Sequence, residues 1–275
     1  MKNGNSGLEK KLERLRSSVI ERENNAVIQL PLWPEPKRGA PNSFIRSALF
    51  AAIQSKDRKF MKEAVLASQD GITIKFTGEQ LNQADLDVWE TIVHLAREQP
   101  LGTVASFTAH GLLKALGMST GNSQHKQLHS TLLRLTACAV EVTHEGKTYF
   151  GPLIKSGAKD EITRHYGVEL NKGIIKLFGE NQWTALDWQQ RQELRGQPLA
   201  QALHAFYSSH RLPHAVKLQT IQAYTGSRNK QLASFKRQVQ TALDELVVVG
   251  FLISFDLDGD LIRVVRHTAS AIKKA

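Results

Sequence analysis

The sequence has one cysteine, three methionines and few aromatics, and it is short of acids relative to bases. A single thiol, Cys138, excludes an internal disulfide and any cysteine-cage zinc site. Its place in the apolar run LRLTACAVEV reads as a buried thiol rather than a nucleophile. No stretch approaches the ~18 consecutive apolar residues of a membrane span. Residues 1–18, MKNGNSGLEKKLERLRSS, hold no apolar core that could act as a secretion signal. These absences point to a reducing cytoplasm and to no membrane partner.

Catalytic signatures are also wanting. There is no Walker A loop. No histidine pair flanks an apolar residue near a tyrosine, as a DNA-nicking enzyme requires, and neither a serine-hydrolase elbow nor an H-E-x-x-H zinc helix is read. His125 and His129 stand four apart, but no third ligand accompanies them. Asp85 and Asp87 read as the acidic first turn of a helix. The expectation is a protein with no enzymatic activity, no catalytic residue, no metal and no cofactor.

What the chain does have is positive charge. Thirty-six Lys and Arg against 26 Asp and Glu give +10, with a pI of about 9.7. Such an excess attracts polyanions, nucleic acid above all. From Pro198 to Ala275 there are ten basic residues against five acidic ones, so half of the surplus lies in the last third.

The pattern along the chain predicts an α+β protein: two tandem winged-helix domains preceded by a flexible N-terminal tail. Residues 1–26 form the tail, in which Leu8, Leu12, Leu15 and Val19 make one narrow apolar stripe on a charged helix. Residues 27–41 are a sticky peptide, VIQLPLW, and a proline-rich linker. The first domain is placed at 42–178 and the second at 179–275. In the first, SFIRSALFAAI reads as a helix and GITIKFTG as a strand. NQADLDVWETIVHLAREQP reads as a long helix stopped by Pro100. The strand TVASFT, a brief helix AHGLLKALGM, the turn STGNS and a longer helix QHKQLHSTLLRLTA follow. Two strands joined at HEGK complete the unit, with a third strand near HYGVELN. The same order recurs from His214: short strand, brief helix, turn, the long helix KQLASFKRQVQTALDELVVVG, and two strands around an Asp-Gly turn. Helix, turn, longer helix and hairpin make a winged helix.

At 100° per residue the long helix of the second unit turns Leu232, Phe235, Val239, Leu243 and Leu246 to one side. Lys230, Ser234, Arg237 and Thr241 lie opposite, flanked by Gln231, Gln238 and Gln240. Its acids, Asp244 and Glu245, come only after three turns, so an N-terminal half inserted in a major groove is basic and polar. Arginine pairs with guanine and glutamine with adenine, while serine or threonine suits either base or backbone. Arg228 and Asn229 at the helix start suit phosphate. Arg263 and Arg266 are expected to grip DNA from the wing strands, since the tip, DLDGD, is acidic. In the first unit Lys126 and Arg134 are the corresponding candidates, beside His125 and Ser130.

The segments LPLWPEPKRGAPNSFIRSALF, FTGEQLNQADLDVWETIVHLAR, FTAHGLLKALG and PLAQALHAFYSSH resemble the TrfA replication initiators of broad-host-range plasmids, over about Gln29 to Leu246. The resemblance implies two winged-helix domains that bind direct origin repeats, called iterons. It implies opening of an adjacent AT-rich segment, whose single strands become a further partner, and recruitment of the host initiator and replicative helicase. It also implies a balance in which monomers act and dimers are inactive. The family carries a peptide of the form Q-L-x-L-F that docks on the bacterial sliding clamp, and Gln29, Leu30, Pro31, Leu32 and Trp33 fit it, with Trp in place of Phe. The alternative is a winged-helix repressor on an inverted repeat; a nicking enzyme and an RNA-binding adaptor are less well supported.

Overall fold

The structure, a computed structural model, describes residues 29–69, 71–100, 103–229 and 231–267. The amphipathic segment between Leu8 and Glu23 lies outside them, as does Lys230.

The centre of the first unit is the helix Gln83–Ala96. It starts where Asn82 accepts the Asp85 N–H through its side chain while the Asp85 carboxylate accepts the Asn82 N–H, a reciprocal cap that satisfies two otherwise unpaired donors. Leu86, Trp89, Ile92 and Val93 are all buried in the core. That core also takes the inner residues Ile74, Phe76, Val140 and Val142 of a four-stranded antiparallel sheet. Its order is Phe60–Leu66, Ile72–Glu79, Ala139–His144, Lys147–Gly151.

Beside it lies the first winged helix: strand Val104–Thr108, helix Ala109–Ala115, helix Asn122–Ala137, and the hairpin Ser156–Lys159 with His165–Glu169. Val104–Thr108 pairs with the second strand of the hairpin, which pairs with the first. The second unit repeats that order. Val216–Lys217 leads into the helices Leu218–Tyr224 and Leu232–Val248, then pairs with Leu261–Arg266, which pairs with Leu252–Asp258. The fold is therefore α+β with two winged helices in tandem.

This corrects the expected wing of the first unit. The strands joined at HEGK do not form it, and the third strand near HYGVELN does not join them. They extend the sheet of Phe60–Leu66 and Ile72–Glu79, because Val140 and Val142 face inward in register with Phe76 and Ile74. The wing is the next hairpin, whose tip is held by Asp160 Oδ1 accepting from the N–H groups of Ile162 and Thr163, both at 2.8 Å.

Two further expectations change. SFIRSALFAAI is helical only over Asn42–Ile45, after which Phe50–Ala51 pairs in parallel with Leu81–Asn82. Phe44, Ile45, Leu49, Phe50 and Ile53 are all buried, so the segment runs through the core and has no solvent face to make it amphipathic. The proline-rich linker is not a free tether either. Lys37–Pro41 is a strand, antiparallel to Trp183–Asp187 and pinned by Lys37 to Asp187 at 2.7 Å. A Cβ at Gly39 would lie 2.6 Å from the Trp33 ring, so glycine is required where this indole lies against the backbone.

The strand Trp183–Asp187 belongs with the first core, beyond the boundary at residue 178 read from the sequence, and the second core begins with Leu194. Between the two cores Arg191 is fully buried. Its guanidinium reaches Asp87 at 2.5 Å, Gln83 Oε1 at 3.0 Å and the Gln201 carbonyl at 3.2 Å. Glu90, 3.5 Å from it, has no hydrogen-bond partner on either carboxylate oxygen among the described residues. Burial, opposed by Arg191, pushes the Glu90 carboxyl up to about 8 from an ordinary 4.5. The native chain thus holds a proton that the unfolded chain releases near pH 4.5, and stability falls as pH rises from about 4.5 to about 8. Glu90→Gln is expected to flatten that fall, with an advantage over the natural chain of more than about 1.4 kcal/mol at pH 8 and little at pH 4.5. Urea midpoints at the two pH values measure it, and equal effects at both would refute the assignment.

Candidate nucleic-acid interface

The helix Leu232–Val248 buries Phe235, Val239, Ala242, Leu243 and Leu246, the face its spacing predicts together with one alanine. Opposite, Gln231, Arg237, Gln238, Gln240 and Thr241 are exposed and Ser234 is half-buried. Asn229 organises the start of this face. Its Oδ1 accepts the Gln231 N–H at 3.1 Å, and its Nδ2 donates to Ser234 Oγ at 3.0 Å and to Gln238 Oε1 at 3.3 Å. The structure therefore brings Asn229, Gln231, Ser234, Arg237, Gln238 and Thr241 together on one surface. No side-chain hydrogen bond or ion pair within the described residues engages the Arg237 guanidinium, so its donors face solvent. Such a face can present a guanidinium fork and side-chain amides to base edges.

Several of the expected basic contacts are already committed within the protein. Arg134 is tied to Glu79 at 2.9 Å and Asp85 at 2.8 Å, and little of its side chain is exposed. It braces the cap of the central helix through Asp85. Arg266 donates to the carbonyl of His210 at 2.6 Å and lies 5.7 Å from the Phe251 ring centroid, a structural role. Arg263 sits between Asp256 and Asp258, at 3.2 and 3.3 Å, so the wing's acids offset its charge. Arg228 is exposed but donates to Gln80 Oε1 of the first unit. Lys126 is exposed on the first unit's own helix, away from the cluster around Asn229.

Some functional geometry was not readable from residue types. Lys236 Nζ donates to the Gly259 carbonyl and so ties the helix Leu232–Val248 to the wing tip. The turn before that helix docks on the first unit. The Thr225 carbonyl accepts the Ala52 N–H at 2.7 Å, and a Cβ on Gly226 (φ +60°) would lie 2.9 Å from that of Ala51. The alanine run at 48, 51 and 52 is the only sequence signal of this close approach, and it needs the structure to be understood.

The peptide Gln29–Trp33 is split. Leu32 is 68% exposed and Gln29 is exposed, whereas Leu30 and Trp33 are 3% and 4% exposed and belong to the first core. Trp33 stacks on Phe178 at 6.0 Å and donates from Nε1 to His94 Nδ1 at 2.9 Å. With Nδ1 accepting, the His94 Nε2–H donates to Glu35 at 2.9 Å. That bond and one from Arg97 Nη2 to Glu35 Oε1 at 2.8 Å hold the Glu35 carboxyl down to about 2.

One spelling of G-x-S-x-G does occur, GMSTG over residues 117–121. It forms the turn between the helices Ala109–Ala115 and Asn122–Ala137, not a strand-to-helix elbow, and Ser119 is exposed. Among the described residues no cluster of three metal-ligating side chains is present, and no helix is long and apolar enough to cross a membrane.

Two winged helices of one strand order, the second with an exposed face of polar residues and Arg237, define a tandem winged-helix protein. The sequence matches the TrfA protein family over residues 11–266, and the chain belongs to that family. It is 27% identical over 248 residues to the plasmid replication initiator protein TrfA of Escherichia coli, covering 85% of this chain and 63% of the relative. The chain thus spans less than two thirds of that relative's length. Among solved structures it resembles the Pi initiator protein in complex with iteron DNA, with a TM-score of 0.56 at 11% identity, over 86% of this chain and 100% of the other. It also resembles domains 2 and 3 of RctB, with a TM-score of 0.56 at 10% identity, over 82% and 98%. At such identities the likeness is one of fold.

Proposed function

We propose that the chain is a plasmid replication initiator. It binds direct repeats at an origin, helps open the neighbouring AT-rich DNA and brings host replication proteins, the initiator, helicase and sliding clamp, to the site. The observation that carries this is the helix Leu232–Val248: Arg237 is exposed and, among the described residues, unpaired, beside Ser234 and Gln238 held by Asn229, on the second of two tandem winged helices. The family membership and the iteron DNA bound by the structurally similar Pi initiator support the same reading. The protein acts by binding rather than by catalysis, in the cytoplasm, and the energy to melt the duplex comes from several bound protomers and from DNA bending.

The test is selection of bound fragments from the plasmid, followed by permanganate footprinting. Enriched tandem direct repeats with reactive thymines beside them support an initiator. A single inverted repeat in fully paired DNA would instead indicate a repressor. Arg237→Ala is expected to lower affinity for the selected repeat by about 10- to 100-fold, the ~1–3 kcal/mol of a bidentate base contact. Binding to unrelated duplex should weaken far less and the fold should persist. Unchanged specific affinity would show that another face reads the bases.

A further inference from the structure

Seen down its axis, the recognition helix is flanked on both sides. On one flank Lys236 reaches the wing tip through the Gly259 carbonyl. Gln238 lies 200° further round, at 100° per residue. There, with Thr241 and Asn229, it lines a cleft of about 650 Å³ whose opposite wall is Gln54 and Asp57 of the first unit. Arg237 points between the two flanks. Across the turn at Gly226, a second cleft of about 760 Å³ is lined by Lys59 of the first unit together with Gln219, Gln222 and Arg228 of the second.

The segment that borders both clefts is firmly held. Arg58 pairs with Asp85 at 2.8 Å and donates to the Gln80 carbonyl at 3.1 Å, while Asn82 Nδ2 donates to the Ile53 carbonyl at 3.3 Å. From this fixed base Lys56 and Lys59 are exposed, and no ion pair or side-chain hydrogen bond within the described residues engages either ammonium. A helix seated in a major groove has a phosphate backbone on each side. The wing can meet only one of them.

We propose that residues 54–59 of the first unit are a second wing for the recognition helix of the second, with Lys56 and Lys59 contacting the sugar-phosphate backbone on the flank opposite the hairpin. This rests on the reading of Leu232–Val248 as the groove helix. Its job is positioning: phosphate contacts set the register of the helix and carry no sequence information themselves. The committed state of Arg263 and Arg266 on the true wing makes these free lysines the more important source of charge beside the groove.

The experiment compares the full natural chain, Lys56→Ala/Lys59→Ala and a control, Lys147→Ala/Lys176→Ala, by fluorescence anisotropy across salt concentrations. The control removes the same charge from a different cleft of the first unit. Each duplex is tested in two forms, the selected repeat and an unrelated sequence. The expected result is a salt-dependence slope for the Lys56/Lys59 variant shallower by about 1.8, two phosphate contacts' worth, with affinity for both duplexes reduced by a similar factor. The control should keep the natural slope. An unchanged slope in the Lys56/Lys59 variant, or the same change in the control, overturns the proposal. A natural chain that binds both duplexes equally overturns the initiator reading instead, and the slope on unrelated duplex still decides the role of the lysines.

Discussion

Arg191→Ala is expected to lower the stability of the chain by about 3–5 kcal/mol, the usual consequence of removing one partner from a buried ion pair. The side chain is fully buried and meets Asp87, Gln83 and the Gln201 carbonyl, so its loss leaves the Asp87 carboxylate in the interior with Gln201 Nε2 as its remaining side-chain donor. Arg191→Lys should not restore much. A single ammonium cannot reproduce a planar fork that contacts three groups at once. Because Asp87 and Gln83 come from the first unit and Gln201 from the second, the change should also loosen the join between them. Urea denaturation followed by circular dichroism measures it. A loss under about 1 kcal/mol would mean that the site relaxes or that water replaces the guanidinium.

The second large effect is at Trp33. Trp33→Ala is expected to cost about 3–5 kcal/mol, as for other large aromatics removed from a core. It empties the space between Gly39, Phe178 and Trp183 and removes the shorter of two contacts on His94 Nδ1, leaving Arg38 Nη1 at 3.3 Å. Leu32→Ala, at an exposed position, should change stability by less than about 0.5 kcal/mol. The pair separates two roles for the peptide. If it docks on a sliding clamp, Leu32→Ala should weaken that binding at least tenfold while the chain remains folded. Loss of clamp binding with Trp33→Ala alone would report only a damaged first unit. Equal stability of Trp33→Ala and the natural chain would refute the core role of the indole.

The second winged helix could be read from the sequence nearly element by element. Its helix has a clean 3.6-residue apolar period, and its hairpin turns at Gly259–Asp260, so local patterns carry the information. The first unit was harder for a reason visible in its pairing. It contains two hairpins in series, both alternating, and only distant pairings, of Ile72–Glu79 with the first and Val104–Thr108 with the second, decide which is the wing, while Phe60–Leu66 completes the first sheet. That strand breaks its own alternation at Glu63, where φ is +48°, and hides its pattern. The outward face of Leu232–Val248 was legible because it depends only on which residues point away from one helix. Arg134, Arg263 and Arg266 were not, because a charge count does not say which cations already have carboxylate or carbonyl partners.

The docking of Gly226 against Ala51 has a consequence for the DNA as well as for the protein. A turn that accepts only glycine, tied by Thr225 to Ala52 and by Arg228 to Gln80, leaves the second winged helix little freedom to swivel on the first. On the proposed reading, the molecule then behaves as a ruler. The distance and helical phase between the stretches of duplex met by the two units are set by alanine-sized contacts inside the protein. An origin repeat could drift in base sequence at positions that no side chain touches, but its length would be inherited from the protein.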